Sequence, residues 1–251
     1  MLLELYEKLT TKYLRRRVRI IFDAHYRVGD FSLAPSHANN LDKEVISRHY
    51  VLDREPSIQG RFRFLDVGCR DGKLSYLLGF DGPLHFNAAL YEKNKAKFER
   101  LYEYYGIDLI PAGGHVLAGD LCHPEFLAAY PHFRESFDII YSNNVFEHFA
   151  RPWIAADNLL RLLSRGGRCV TIVPFAQRYH ESPGDYFRYT PAGVISMFES
   201  GGPIKVLEAG FDIRARRYDW QGMGDGNDIV PVDKYGSWRE TWTTVVIFEK
   251  L

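Results

Sequence analysis

FLDVGCRDGKL, residues 64–74, is the stretch that decides the fold. Apolar, β-prone residues run into Asp66. Gly68 and Gly72 then open a turn, and Leu74, Leu77 and Leu78 begin a helical spacing. A strand that ends in a glycine turn and feeds a helix builds a nucleotide-binding corner. Gly68 lets backbone approach a ligand because no Cβ intervenes. The free N–H groups of the following helix favour a negatively charged ligand group. Asp66, at the strand end, suits hydrogen bonding to the turn or to a ligand amine. The corner implies a small adenine-containing cofactor.

Outward from this corner, strand and helix patterns alternate. HFNAALYEK, residues 85–93, reads as a second strand ending at Glu92, with a helical run over 93–105 after it. HVLAGDL, residues 115–121, reads as a third strand ending at Asp120. FDIIYSNN, residues 137–144, is a buried strand with Asn143 and Asn144 at its end. Residues 145–163 are helical, broken near Pro152, and stop at Arg165-Gly166-Gly167. RCVTIVPF, residues 168–175, is the next strand. Thr190 can cap a helix that begins at Pro191. Residues 211–220 and 241–250 read as two final strands with no helix between them. This alternation predicts an α/β fold with a doubly wound, mostly parallel sheet of seven strands.

The N-terminal 60 residues read as a helical flank and residues 61–251 as the main domain. Residues 3–26 have amphipathic helical spacing with a basic cluster at Lys12, Arg15, Arg16, Arg17 and Arg19. Neighbouring acids Glu4, Glu7 and Asp23 favour a solvated helix face over a membrane-surface or polyanion-binding one. Residues 28–40 read as a loop and 41–52 as a second helix.

Lys+Arg and Asp+Glu both number 32, so no net charge argues for a nucleic-acid partner. No signal peptide and no membrane-length apolar run is expected, which points to the cytoplasm. The three cysteines, Cys69, Cys122 and Cys169, form no C-x-x-C pair and read as buried thiols. GDGND, residues 224–228, lacks the regular oxygen spacing of a cation loop and reads as a turn, so no metal is expected.

Three acids stand at expected strand ends: Asp66, Glu92 and Asp120. Glu92 follows the glycine corner at the distance expected of an acid that grips ribose hydroxyls. Asp120, with Leu121, lies where a carboxylate can accept the exocyclic amine of adenine. Such ligands sit at the C-terminal ends of parallel strands.

The succession DVGCRDG, LYEKN, LAGDL, FDIIYSNNVFEHF and LLSRGGRCVTIVPF resembles a class I S-adenosylmethionine-dependent methyltransferase over residues 61–251. The resemblance implies a Rossmann-like sheet whose seventh strand is antiparallel. It implies that Asp66, Gly68, Cys69 and Gly72 hold the methionine part of S-adenosylmethionine, Glu92 the ribose, and Asp120 with Leu121 the adenine. Asn143 would lie near the sulfonium. One residue departs from the pattern: Arg70 stands where the family usually has glycine. If its side chain points into the pocket it crowds the cofactor or pairs with its carboxylate; pointing outward, it costs nothing.

PFAQRYHESPGDYFRYTPAGV, residues 174–194, resembles an H-x-x-P-x-D-Y-x-R-x-T segment of small methyltransferases from bacterial surface-polysaccharide and natural-product sugar clusters. It implies polysaccharide biosynthesis, with a small-molecule or glycan acceptor under a lid carrying His180, Asp185, Tyr186 and Arg188. His180 is the candidate base, because imidazole titrates near neutral pH. His148 is the alternative base, read mainly as structural. Asp185, Tyr186 and Arg188 would bind the acceptor, or Asp185 and Arg188 would pair to pin the lid. A quinone, lipid or other metabolite is the alternative acceptor, and a non-catalytic binding subunit or a nicotinamide dehydrogenase are rival classes. The oligomeric state, a homo-oligomer included, stays open.

Overall fold

A computed structural model of the chain describes residues 41–55, 60–70, 78, 88–110, 116–177, 179–180, 183–215 and 241–251. The expected helix over 3–26 with its basic cluster, the loop over 28–40, Gly72 and the turn at 224–228 lie outside these residues.

Helix α1 (Lys43–Leu52) begins where Asp42 accepts the N–H groups of Glu44 at 3.0 Å and Val45 at 3.1 Å. Those are donors that a first helical turn leaves without intrahelical partners. The helix docks on the sheet through the Leu41 N–H, which donates to the Phe211 carbonyl at 2.7 Å. The Lys43 N–H donates to the buried Asp212 carboxylate at 3.1 Å.

The chain continues through β1 (Phe62–Val67), α2 (Ala88–Leu101), β2 (Tyr102–Asp108) and β3 (Val116–Ala118). A short helix α3 (Phe126–Ala129) precedes β4 (Phe137–Asn143), α4 (Pro152–Leu162) and β5 (Leu163–Ala176). Then come α5 (Pro191–Glu199), β6 (Ile204–Ala215) and β7 (Thr241–Lys250). The sheet has seven strands in the order β3-β2-β1-β4-β5-β7-β6. Strands β1 to β5 pair in parallel, and β7 runs antiparallel between β5 and β6. The predicted doubly wound, mostly parallel α/β sheet with an antiparallel last strand is therefore the observed one.

Two strands sit elsewhere than the sequence pattern placed them. From Ala88 onward, the stretch read as a second strand ending at Glu92 is the start of α2. Ala, Leu, Lys and Glu dominate Ala88–Leu101, and all are good helix formers. Asn94, Phe98 and Leu101 are its buried residues at helical spacing. The true β2, YEYYGID, is rich in Tyr and Ile, which suit a pleated surface. The sixth strand likewise starts at Ile204, ahead of the expected 211.

Each face of the sheet carries its own apolar cluster. One joins β1, β4 and β5 to α4 and α5 through residues such as Ile140, Leu159, Val173, Val194 and Phe198. The other joins Phe64 and Ile139 to α1 and α2 through Val51, Leu52, Phe98 and Leu101. Burial on both faces is why β1 and β4 read as near-continuous apolar runs. Truncating Leu159, 1% exposed on α4, would cost about 2–5 kcal/mol by the usual cavity effect. Among the described residues, no helix is long and apolar enough to cross a membrane.

Candidate functional site

The parallel register brings four strand ends side by side. Asp66 lies opposite Gly106 of β2 and Tyr141 of β4, and Val67 opposite Ile107 and Ser142. Ala118, at the end of β3, pairs with Asp108. Asn143 ends β4. This is the carboxyl edge at which open α/β sheets bind ligands.

At the corner, Gly68 has φ +69°, a left-handed conformation that favours glycine. A Cβ there would stand 2.6 Å from Val145 Cγ2, so the turn and the loop after β4 are packed against each other. Asp66 is 3% exposed, and its Oδ2 accepts the Tyr104 hydroxyl at 2.8 Å. Burial pushes its carboxyl up to about 8; the Tyr104 hydrogen bond opposes this and nearby Asp108 adds to it. Cys69 is buried beside it, and burial raises its thiol to about 12, with Asp66 contributing. It therefore lines the corner as a neutral thiol.

Arg70 takes a left-handed φ of +51° and is exposed. Its N–H donates to Asp108 Oδ2 at 2.8 Å. The left-handed φ also explains why glycine suits this place: other L-residues there pay a steric cost.

The acid at the end of β2 is Asp108, which the sequence reading missed. Glu92, assigned to that role, is exposed on α2 and away from any strand end. The correction follows from the shifted second strand. The signal was present in YYGIDL, residues 104–109, a β-prone run closed by an acid. Asp108 Oδ1 accepts the Ile110 N–H at 3.2 Å and Oδ2 that of Arg70. A carboxylate has about four lone-pair sites, so each oxygen keeps one for a ribose hydroxyl. Asp120 is exposed beyond β3, and its Oδ1 accepts the Cys122 N–H at 2.8 Å. Leu121 beside it is buried. Buried Asn158 of α4 fixes this loop, donating to the Leu121 and His123 carbonyls at 2.9 Å each. The described residues of the corner thus suit a nucleoside with vicinal hydroxyls and an amine.

The segment after β5 carries the second group. Its backbone is tied to the loop after β4, where the Tyr186 N–H donates to the Glu147 carbonyl at 2.7 Å. The Tyr189 hydroxyl donates to the Phe146 carbonyl at 2.9 Å. Asp185 Oδ2 accepts the His180 N–H at 2.7 Å and the Arg188 Nη2 at 2.7 Å, and Oδ1 accepts Arg188 Nη1. This fork holds the Asp185 carboxyl down to about 2, chiefly through the Arg188 hydrogen bonds. The Asp185 side chain is 1% exposed, so it pins the segment and offers an acceptor almost no surface. Arg188 also donates to the Gln177 and Phe187 carbonyls, at 3.2 and 2.8 Å. Tyr186 is exposed.

His148 and His180, 32 positions apart in sequence, meet edge to face with ring centroids 5.1 Å apart. His148 Nδ1 is hydrogen-bonded to the Gly184 carbonyl. His180 Nδ1 lies 3.5 Å from Asp185 Oδ2. The fully buried Glu147 sits between the rings, its Oε1 3.7 Å from His148 Nε2 and 4.0 Å from His180 Nε2. Glu147 was not foreseen, and nothing in NVFEHF separates a buried acid from a surface one. Glu147, His148 and His180 place one potential ligand atom each within 4.8 Å of the others.

Comparison with known proteins gives a family model, described as a methyltransferase domain, that matches residues 15–213. No curated protein matches the chain. Among solved structures, a candidate methyltransferase of Bacillus halodurans is similar at a TM-score of 0.53 and 12% identity, over 83% of this chain and 99% of that one. The 4+2 cyclase SpnF is similar at a TM-score of 0.50 and 14% identity, over 94% of this chain and 96% of that one. At these identities the two structures speak for the fold alone.

Proposed function

The chain belongs to the methyltransferase domain family, and on that premise we propose that it methylates an oxygen of a small acceptor, a sugar or sugar-containing glycan. S-adenosylmethionine is its methyl donor, and its sulfonium supplies an activated methyl carbon with a neutral thioether as leaving group. The residues that would hold it are Asp66, Gly68, Cys69 and Asp108 at the corner, Asp120 and Leu121 beyond β3, and Asn143 at the end of β4. The enzyme's own work is then position and proton removal.

The observation that carries this reading is the His180 imidazole. Its side chain is 38% exposed, and it is set between two carboxylates on the segment that follows β5. With Nδ1 turned to Asp185, the neutral ring keeps its proton there and presents Nε2 as the basic atom. An acceptor hydroxyl placed beside Nε2 would give up its proton there as its oxygen took the activated methyl that the bound S-adenosylmethionine would supply. The ring so protonated would lie beside the carboxylates of Glu147 and Asp185, at 4.0 and 3.5 Å. His148 shares Glu147 and supports the His180 ring edge to face. Exposed Tyr179 and Tyr186 flank the base, and aromatic faces of this kind suit sugar C–H surfaces.

A labelled-methyl transfer screen against nucleotide sugars, glycan fragments and small phenols tests the acceptor class. His180→Ala is expected to lower kcat by about a hundredfold or more, as loss of a general base does, with S-adenosylhomocysteine affinity unchanged. Equal losses in turnover and in cofactor affinity would remove the proposed role. Transfer to phenols with none to sugars would favour a quinone-like metabolite instead.

A further inference from the structure

We propose that Glu147, His148 and His180 form a binding site for a divalent transition-metal ion of the zinc class. This goes beyond methyl transfer and is testable without it. Two imidazoles and a carboxylate converge, each offering one ligand atom, with all three atoms within 4.8 Å of one another. This donor set suits zinc, cobalt or iron far better than magnesium, which prefers oxygen alone.

The outer contacts of the two rings support the assignment. His148 Nδ1 is hydrogen-bonded to the Gly184 carbonyl, an acceptor only, so Nδ1 carries the proton and Nε2 holds the lone pair. His180 Nδ1 lies 3.5 Å from the Asp185 carboxylate, which sets the same tautomer. Both Nε2 atoms lie near Glu147 Oε1, at 3.7 and 4.0 Å. Metal-bound histidines almost always donate their second nitrogen to a carbonyl or a carboxylate in this way. Glu147 is 0% exposed, while the His148 and His180 side chains are 16% and 38% exposed. The ion would therefore enter from the His180 side and keep open positions there.

Closing the triad needs only small motion. Ligand atoms at about 2.0–2.2 Å from a tetrahedral ion stand roughly 3.3–3.6 Å apart. The Glu147–His148 spacing of 3.7 Å is already close to that range, and rotation of His180, the most exposed of the three, would bring in the third ligand atom. While the ion is bound, His180 Nε2 is a ligand and not a base. An acceptor hydroxyl would then lose its proton by coordinating the ion. The two states of the site are exclusive.

Co(II) titrated into the untagged, metal-stripped full chain, without cofactor or acceptor, tests the proposal. The expected result is saturable visible absorption of tetrahedral or five-coordinate Co(II) at one equivalent, displaced by Zn(II). His180→Ala, which changes a partly exposed side chain, should abolish it. Asp185→Asn, which alters the outer contact of His180 and weakens the fork with Arg188 that positions it, should weaken binding about 10–100-fold. Circular dichroism confirms that both variants fold. Absence of a saturable signal in the folded wild type, or an unchanged signal in His180→Ala, overturns the site. Methyl transfer by metal-stripped protein is a separate readout, so failure of the metal site and of the methyltransferase reading are told apart.

Discussion

Asp66→Asn is the perturbation whose size follows most directly from the structure. The carboxyl is buried at the end of β1 and titrates near 8, against 3.8 for an ordinary aspartate. Between these values the folded chain holds a proton that the unfolded chain has released. Stability therefore falls as pH rises through this window, by about 1.4 kcal/mol per pH unit, and levels off once the folded carboxyl ionises near 8. By neutrality the loss relative to strongly acidic solution amounts to about 4 kcal/mol, as an upper figure. Asparagine keeps an acceptor for the Tyr104 hydroxyl and does not titrate. The difference in unfolding free energy between wild type and Asp66→Asn isolates this one group from every other titration. Urea unfolding followed by circular dichroism at several values from pH 5 to 9 measures it. The difference should move in favour of asparagine up to about pH 8 and then hold constant. Saturating S-adenosylhomocysteine, whose ammonium suits an ionised Asp66, should flatten the wild-type slope. A difference that does not change with pH, or one that moves in favour of aspartate, would refute the reasoning.

Two further outcomes follow from the same corner. Arg70→Gly should raise stability by about 0.5–1 kcal/mol, since relief of the left-handed cost of about 1–2 kcal/mol exceeds the added unfolded-state entropy of glycine; a lowered Tm would contradict the backbone assignment. Asp108→Asn should weaken S-adenosylhomocysteine by about 10–100-fold, the worth of charged hydrogen bonds to ribose, while Glu92→Ala leaves it unchanged. Calorimetry that gave the reverse pattern would restore Glu92 and the sequence-based second strand.

Much of the fold was legible because it is written in local pattern. The run into Asp66 and Gly68, the apolar block of β4, the Pro152 start of α4 and the Thr190 cap of α5 each specify themselves within a few residues. The second strand was misplaced because HFNAALYEK can satisfy a strand pattern in isolation. Burial of Asn94, Phe98 and Leu101 against the other elements makes its latter part helical. The acid of the site moved with the strand, from Glu92 to Asp108.

The amino-acid order alone determined an alternating α/β chain with a glycine corner and a final pair of strands. Only tertiary structure decided which acid closes β2, that Arg70 takes a left-handed backbone, and that Glu147 and His148 stand against His180. The reason is physical. Propensity and periodicity act over a single turn or strand. Strand register and the meeting of the loops after β4 and β5 depend on contacts between residues tens of positions apart, whose shared burial has no local signature.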